Sequence, residues 1–457
     1  MKIMNRFLIL SLVFLSLSCS KMKEVQLSND YSKNYDLDGR HNFSPDDKWL
    51  LYDTRPVDGG IDDCKTIEKI NVETGEVVIL YDTRVPERYG PGVGAASYSP
   101  NEEKVIFIHG LQSSSEERPY EQWRRTGVIV DENHLGVPLF LDARDVSYPF
   151  TAGALRGGTH DHEWSGDGKW IAFTYNDAIM KELEDRTGEH LNLRTIGVSK
   201  PIGEVKVDHA NNDENADGIW FSVLVVRVVP NPTSGSDEIS HAASDSWIGT
   251  LGYQKLDKTW QRARAFLGTV RNSKGVPVPE VFVVDIPEEI NQSSIDGPLE
   301  GTLNTFPNPP KGAVQRRLTN TTETKYPGCI GTLRCSKDGK HIAYRKKDNN
   351  GIIQIFFISP TDGKSIQVTD HESDVQSAAR WDPNGDFIYY VFDNSIIKCN
   401  VKSGTEFGNT KIITEKNSIP PTNIVLSNNG KIIAFNRVVE SNYGKEMNKQ
   451  IFKISVE

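Results

Sequence analysis

The chain has 457 residues, with 62 acidic side chains against 52 Lys and Arg, 37% hydrophobic residues and five Cys. A formal charge of −10 excludes the basic stripe of a nucleic-acid binder, so no nucleic-acid partner is expected. Gly (37) and Pro (23) stand near average usage, which excludes collagen and general disorder and leaves a soluble, turn-rich body with a large core.

Residues 1–18 read as a signal peptide. Lys2 and Arg6 precede an apolar run, Phe7 to Leu17, broken only by Ser11 and Ser16, and the run is too short to span a bilayer. The string Leu15-Ser16-Leu17-Ser18-Cys19 resembles the lipobox of bacterial lipoproteins, with Ser16 where the lipobox usually carries Leu. The resemblance implies a diacylated Cys19, a short tether over 19–24 and an address in the bacterial cell envelope, periplasmic or at the surface, with the membrane as a partner. An ordinary secretory signal is the alternative. The remaining Cys64, Cys329, Cys335 and Cys399 make no disulfide framework and show no zinc-ligand spacing. Cys329 and Cys335 stand about 20 Å apart on one strand, too far to bridge.

From residue 25 onward one motif recurs. Phe43-Ser44-Pro45-Asp46-Asp47-Lys48-Trp49 is followed by Tyr98-Ser99-Pro100-Asn101, Trp164-Ser165-Gly166-Asp167-Gly168-Lys169, Cys335-Ser336-Lys337-Asp338-Gly339-Lys340, Trp381-Asp382-Pro383-Asn384-Gly385 and Leu426-Ser427-Asn428-Asn429-Gly430. Each copy predicts a strand, a tight Asp/Asn-Gly turn and a second strand rich in Ile, Phe and Tyr. Third and fourth strands follow, and four strands every 40 to 60 residues is the pattern of propeller blades. These copies resemble the TolB-type repeat, which implies an all-β propeller over 25–457. Six copies are plain. A degenerate one is expected from Trp220 to Val229, Ala265 to Arg271, Val281 to Ile286 and Val314 to Leu318, with surface insertions at 230–262 and 288–312. The count is seven blades, with six as the alternative. The last copy ends one strand short, and Val25-Gln26-Leu27-Ser28-Asn29 matches the outer strands, so the N-terminal strand is expected to close the ring.

Between Gly90 and Asp177 the sequence is denser. It carries Gly90-Pro91-Gly92-Val93-Gly94, Phe107-Ile108-His109-Gly110, Leu141-Asp142-Ala143-Arg144-Asp145, Gly157-Gly158-Thr159-His160-Asp161-His162-Glu163 and Phe173-Thr174-Tyr175-Asn176-Asp177. Together these resemble a bacterial family of exported TolB-like propellers known only as a domain of unknown function. The resemblance implies fold and export and carries over no catalytic residue.

Comparing the copies with one another points to a site. Three residues before the Ser or Asp that opens each turn stand His41, Ala96, His162, Leu333, Ala379 and Ile424; five before stand Gly39, Gly94, His160, Gly331, Ser377 and Thr422. His is the departure in both sets. The second strands set Asp53 and His109 against Thr174, Arg345, Val391 and Asn436. His41, Asp53, Arg55, His109, His160, His162, Asn176 and Asp177 are therefore expected on one face of blades one to three, with Arg144, Asp145 and Arg156 on loops leading there. His109, His160 and His162 have the chemistry of zinc or manganese ligands. Alternatively His109 or His162 acts as general base while Arg156 neutralises a carboxylate substrate. A network of loop-bracing hydrogen bonds is the competing reading.

Two functions stay open: a lipid-anchored propeller binding a ligand or protein partner on that face, or a metal-dependent lyase or hydrolase acting on acidic, uronate-containing oligosaccharides. The second rests on the string His160-Asp161-His162-Glu163-Trp164, which resembles a stretch in seven-bladed uronate lyases that use His and manganese. Asp213 to Gly218 matches half a calcium loop but has Leu224 at the twelfth position, so a solvated acidic turn is expected. Gly90 to Gly94 lacks the Lys-Ser/Thr of a phosphate loop. His134, His190, His209, His241 and His371 are expected at the surface.

Overall fold

The computed structural model describes residues 22–57, 60–84, 89–210, 212–440 and 447–456; the leader and Cys19 lie outside them. In the turn motif the opening hydroxyl does the folding. Ser44 Oγ donates to Asp46 and accepts from the Trp49 N–H, and Ser165, Ser336 and Ser427 repeat both bonds in their own copies. The chain then reverses through a left-handed residue, Gly168, Gly339, Gly385 or Gly430, with φ between 71° and 75°.

Seven antiparallel blade sheets result, arranged as a β-propeller, with one additional two-stranded hairpin. Blade two, for example, orders Val93–Tyr98, Lys104–Gly110, Arg125–Asp131 and Leu139–Phe140 outward from the axis. Blade three runs Gly157–Trp164, Ile171–Asp177, Thr195–Lys200 and Phe221–Leu224, with one helix, α1 (Ala178–Thr187), between its second and third strands. Blade one has three strands, to which residues 36–43 attach through the Asp36–Asp53 and Phe43–Leu50 bridges.

Every interface between neighbouring blades holds its own apolar cluster. Leu51, Ile67, Val105 and Val128 join blades one and two, and Leu50, Ile70, Val425, Ala434 and Ile451 join blades seven and one. A blade is thus buried on both faces, which is why Phe387–Phe392 reads as a continuous apolar run. The N-terminal strand closes the ring as expected: Val25–Gln26 pairs with Met447–Ser455 in the seventh sheet.

Blade four departs from expectation. Phe221–Leu224 pairs with Thr195–Lys200 and is the outer strand of blade three. The innermost strand of blade four is Ala242–Trp247, inside the stretch expected to be a surface insertion. Its signal was hidden because a hairpin, Tyr253–Gln254 with Trp260–Gln261, replaces the tight turn. Residues 288–312 are not merely superficial either, since the Thr302 and Thr305 carbonyls reach Arg156.

Closure also rests on one amide. Asn436 on blade seven accepts from the Leu37 N–H (2.9 Å) and donates to the Tyr35 carbonyl (2.6 Å), and all three groups are buried. Asn436→Ala strands both partners, at about 1–3 kcal/mol each. Urea unfolding is expected to show a loss of that size; an unchanged midpoint would mean that the ring closes without this amide.

Candidate functional site

The site starts from a repeated irregularity. Near the start of the innermost strand in five of the seven blades, a single residue adopts a left-handed backbone: Gly39, Ala95, Asp161, Ser244 and Asn423, with φ from 50° to 74°. Pairing with the second strand slips at the last four of these, in blades two, three, four and seven, and blade five slips between Ile330 and Arg334 without a left-handed residue. This β-bulge breaks the two-residue alternation of side chains.

The consequence is plain in blade three. His160 and His162 were expected to point the same way, but the bulge at Asp161 separates them. His160 Nδ1 lies 2.9 Å from Arg125 Nη1, and its Nε2 lies 3.2 Å from Asn176 Oδ1. His162 turns into the interface with blade two. Its Nε2 meets Thr159 Oγ1 at 3.0 Å, and a methyl group on Gly127 would sit 2.7 Å from that nitrogen. His109 is elsewhere again, held by Tyr81 OH (2.9 Å) and the Gly110 carbonyl. Burial lowers the pKa of all three, that of His162 to about 3, so each is a neutral packed imidazole. Among the described residues no three His, Cys, Asp or Glu converge to hold a metal ion, so these residues do not fit the expected zinc or manganese centre.

The loop arginines brace rather than face a ligand. Arg144 donates to Glu214 Oε2 (2.8 Å) and the Trp123 carbonyl; Arg124 holds the other Glu214 oxygen at 3.0 Å. The half calcium loop is therefore a clamp, not a solvated turn: Asp213 pairs with Arg118, and Asn215 ties residues 145 to 147 to residue 208. Asp145 accepts from Ser147 and Thr151 within its own loop. Arg156, fully buried, donates through Nε and Nη2 to Asp177, which also caps α1 through the Met180 N–H. Of the expected set only His41, Asp53, Arg55, His160 and Asn176 stand near the axis, together with Asp161. Arg55 pairs with Asp53 at 2.8 Å, and Asp53 also accepts from the Ala95 N–H.

The axis itself holds a cavity of about 380 Å³, at the opposite mouth from the expected face. Each blade contributes its first turn to the rim: Pro45, Pro100, Gly166, Thr250, Ser336, Pro383 and Ser427. Its polar floor is Arg40, His41, Glu163, Arg334 and Arg380. Half of that floor is neutralised. Glu163 sits 2.7 Å from Arg264 and 3.4 Å from Arg40, and Arg264 turns its other nitrogen to Asp245 at 2.5 Å. Arg40 also crosses the axis to Asp161 at 3.6 Å. Burial opposes ionisation of Glu163, but Arg264, Arg40 and His41 overcome it and bring the carboxyl down to about 2.

The other half is not neutralised. Arg334 donates only to the Leu333 and Gly39 carbonyls, both at 2.8 Å. Arg380 has neither a hydrogen bond nor an ion pair among the described residues, and its Nη2 packs over Gly39, where a methyl group would meet it at 2.7 Å. Burial and the neighbouring guanidiniums lower both pKa values against the longer-range pull of Glu163 and Asp38, that of Arg334 to about 10. His41 turns 44% of its side chain to the cavity, 3.7 Å from Glu163. Because protein walls surround that space, desolvation still lowers its pKa, aided by Arg334 and Arg380 against the pull of Glu163. Two guanidiniums without a salt bridge, which feel Glu163 and Asp38 only from beyond ion-pair distance, and a neutral imidazole face one cavity, a lining with the chemistry to hold an anion.

Comparing the repeats three and five residues before the turn passed over these arginines. Two before it stand Asn42, Ser97, Glu163, Arg334, Arg380 and Val425, and that set carries the charge pattern.

The description "Protein of unknown function (DUF3748)" matches residues 92–215. Uncharacterized protein YidR of Escherichia coli K12 is 37% identical over 411 residues, 88% of this chain and 92% of YidR. Among solved structures, an oligogalacturonate lyase in complex with manganese superposes with a TM-score of 0.56 at 12% identity, covering 96% of this chain and 94% of that one. The oligogalacturonate lyase of Vibrio parahaemolyticus gives 0.55 at 13% identity, covering 96% and 95%. At such identities these likenesses establish the propeller architecture alone.

The depressed pKa of His162 has a measurable consequence. Above pH 6.5 this residue is neutral whether the chain is folded or not. Below it the unfolded chain takes up a proton that the folded one refuses until about pH 3, so stability falls on acidification. In urea unfolding between pH 6.5 and 5, the wild type is expected to lose stability faster than His162→Gln. The two slopes should differ by an amount approaching about 1.4 kcal/mol per pH unit; parallel slopes would show that His162 is not held neutral.

Proposed function

This chain belongs to the family of TolB-like β-propellers that includes YidR and carries the DUF3748 signature, and on that scaffold we propose an exported, lipid-anchored protein that binds a small carboxylate-bearing ligand in its axial cavity. The observation that carries the reading is the pair Arg334 and Arg380, which face the cavity without a carboxylate partner among the described residues. A buried guanidinium left uncompensated destabilises the fold, so its retention is explained by a ligand that supplies the charge. Blades one and three add Arg40, His41 and Glu163 to the same floor. Export and anchoring rest on the leader and on Cys19.

A second reading, a lyase or hydrolase acting on acidic oligosaccharides, is favoured by one observation. His41 is held neutral in the same cavity, ready to accept a proton beside guanidiniums that would neutralise a substrate carboxylate. This reading invokes no metal, because among the described residues no three donors converge to hold one.

Titration calorimetry with citrate and with digalacturonate tests the binding reading. The wild type is expected to bind at least one of them, and Arg334→Gln/Arg380→Gln is expected to weaken that binding by about thirtyfold or more, at about 1.5–3 kcal/mol per charged hydrogen bond lost. The same variant should melt higher than the wild type, since it sheds two uncompensated charges. Unaltered affinity, or no binding of either probe by the wild type, would overturn the reading. Consumption of digalacturonate that stops in His41→Gln with binding retained would decide for the enzyme.

A further inference from the structure

The mouth opposite the cavity carries a second set of cations without salt bridges, on blades two and three, with Asp161 acting on Arg194 only from beyond ion-pair distance. Arg125 opens the third strand of blade two, and Arg194 directly precedes the third strand of blade three. Both therefore stand at the face where the innermost strands begin. A continuous chain of hydrogen bonds joins them. Arg125 Nη1 is 2.9 Å from His160 Nδ1, His160 Nε2 is 3.2 Å from Asn176 Oδ1, and Arg194 Nε donates to the same oxygen at 3.2 Å.

That geometry fixes the protons. Arg125 can only donate, so His160 Nδ1 accepts; Nε2 then carries the hydrogen and donates to Asn176 Oδ1. Asn176 Nδ2 is engaged in turn by the Asn192 carbonyl and side chain, which sets its orientation. Each guanidinium is thus positioned by neutral groups, and neither lies within ion-pair distance of a carboxylate among the described residues. Arg194 has one further contact, Gln122 Oε1 at 3.4 Å, and Arg125 stacks over the Tyr120 ring at 4.6 Å while its Nε is buried without a partner. Two forks held by neutral partners at one mouth, with most of their N–H groups unused, offer the charge-assisted donors that an oxyanion needs.

We propose that Arg125 and Arg194, spaced by His160 and Asn176, form a second oxyanion-binding site, taking a carboxylate or phosphate group at the opposite end of the axis from Arg334 and Arg380. The site does not depend on the cavity reading, because no residue is shared. His160 and Glu163, one at each end, stand three residues apart, about 10 Å along the strand.

Calorimetry on the purified protein with inorganic phosphate and, separately, with citrate tests the proposal, each arm naming one oxyanion source. The wild type is expected to bind two equivalents of at least one probe. Arg334→Gln/Arg380→Gln should retain one of these, and Arg125→Gln/Arg194→Gln should lose that one by about tenfold or more in affinity. Arg194→Lys, which keeps the charge and removes the fork, should weaken the same equivalent without altering the melting temperature. Should the blade-two and blade-three variants leave both equivalents intact, or should the wild type bind one equivalent that the cavity double variant abolishes, the second site does not exist. A wild type that binds a single equivalent, kept by Arg334→Gln/Arg380→Gln and weakened by Arg125→Gln/Arg194→Gln, would contradict the cavity reading and leave this one standing.

Discussion

A guanidinium taken out of water must find an anion, and around this axis there are more guanidiniums than carboxylates in contact with them. Seven innermost strands converge, so every polar residue near their ends is pressed toward a narrow, partly desolvated space. Blades three and four resolve the conflict internally, with Glu163 and Asp245 set against Arg40 and Arg264. Blades five and six do not, nor do the arginines of blades two and three at the other mouth. An internal network that is complete on one side and incomplete on the other fits a receptor better than a structural brace, since a brace would be complete throughout.

The scaffold can carry that strain because its stability lies elsewhere. Apolar clusters between every pair of blades, and the N-terminal strand in the seventh, hold the ring without help from the axis. The loops over blades two and three are fixed by their own buried ion pairs, Arg144 with Glu214 and Arg156 with Asp177, so they shape the approach to the axis without taking part in binding. Division of labour of this kind is common in rigid β scaffolds, where residues that position loops are distinct from those that touch a ligand.

How much of this could be read beforehand depended on the physics of each feature. Repetition of the turn motif is local chemistry, a hydroxyl and an Asp or Asn side chain closing a hairpin, so the propeller, its count and its closure were legible. Blade four's innermost strand was not, because a hairpin took the place of the turn that would have marked it. The histidines misled for a different reason. Alternation along a strand holds only while its register is unbroken, and the left-handed Asp161 reverses it between His160 and His162. No pattern rule separates a bulge at Asp161 from regular strand, since none of the left-handed residues at the slips, Ala95, Asp161, Ser244 and Asn423, is the glycine that invites one. Arg334 and Arg380 stood in plain view two residues before their turns. Their meaning required knowing which charges lie across the ring, and that information is tertiary.

The most direct test of an anion receptor at the axis is a crystal structure of the protein grown with citrate. The account predicts carboxylate oxygens within hydrogen-bond distance of Arg334 and Arg380, with His41 facing the same molecule. A structure in which both arginines instead pair with the protein's own carboxylates, and the cavity holds no anion, would contradict it.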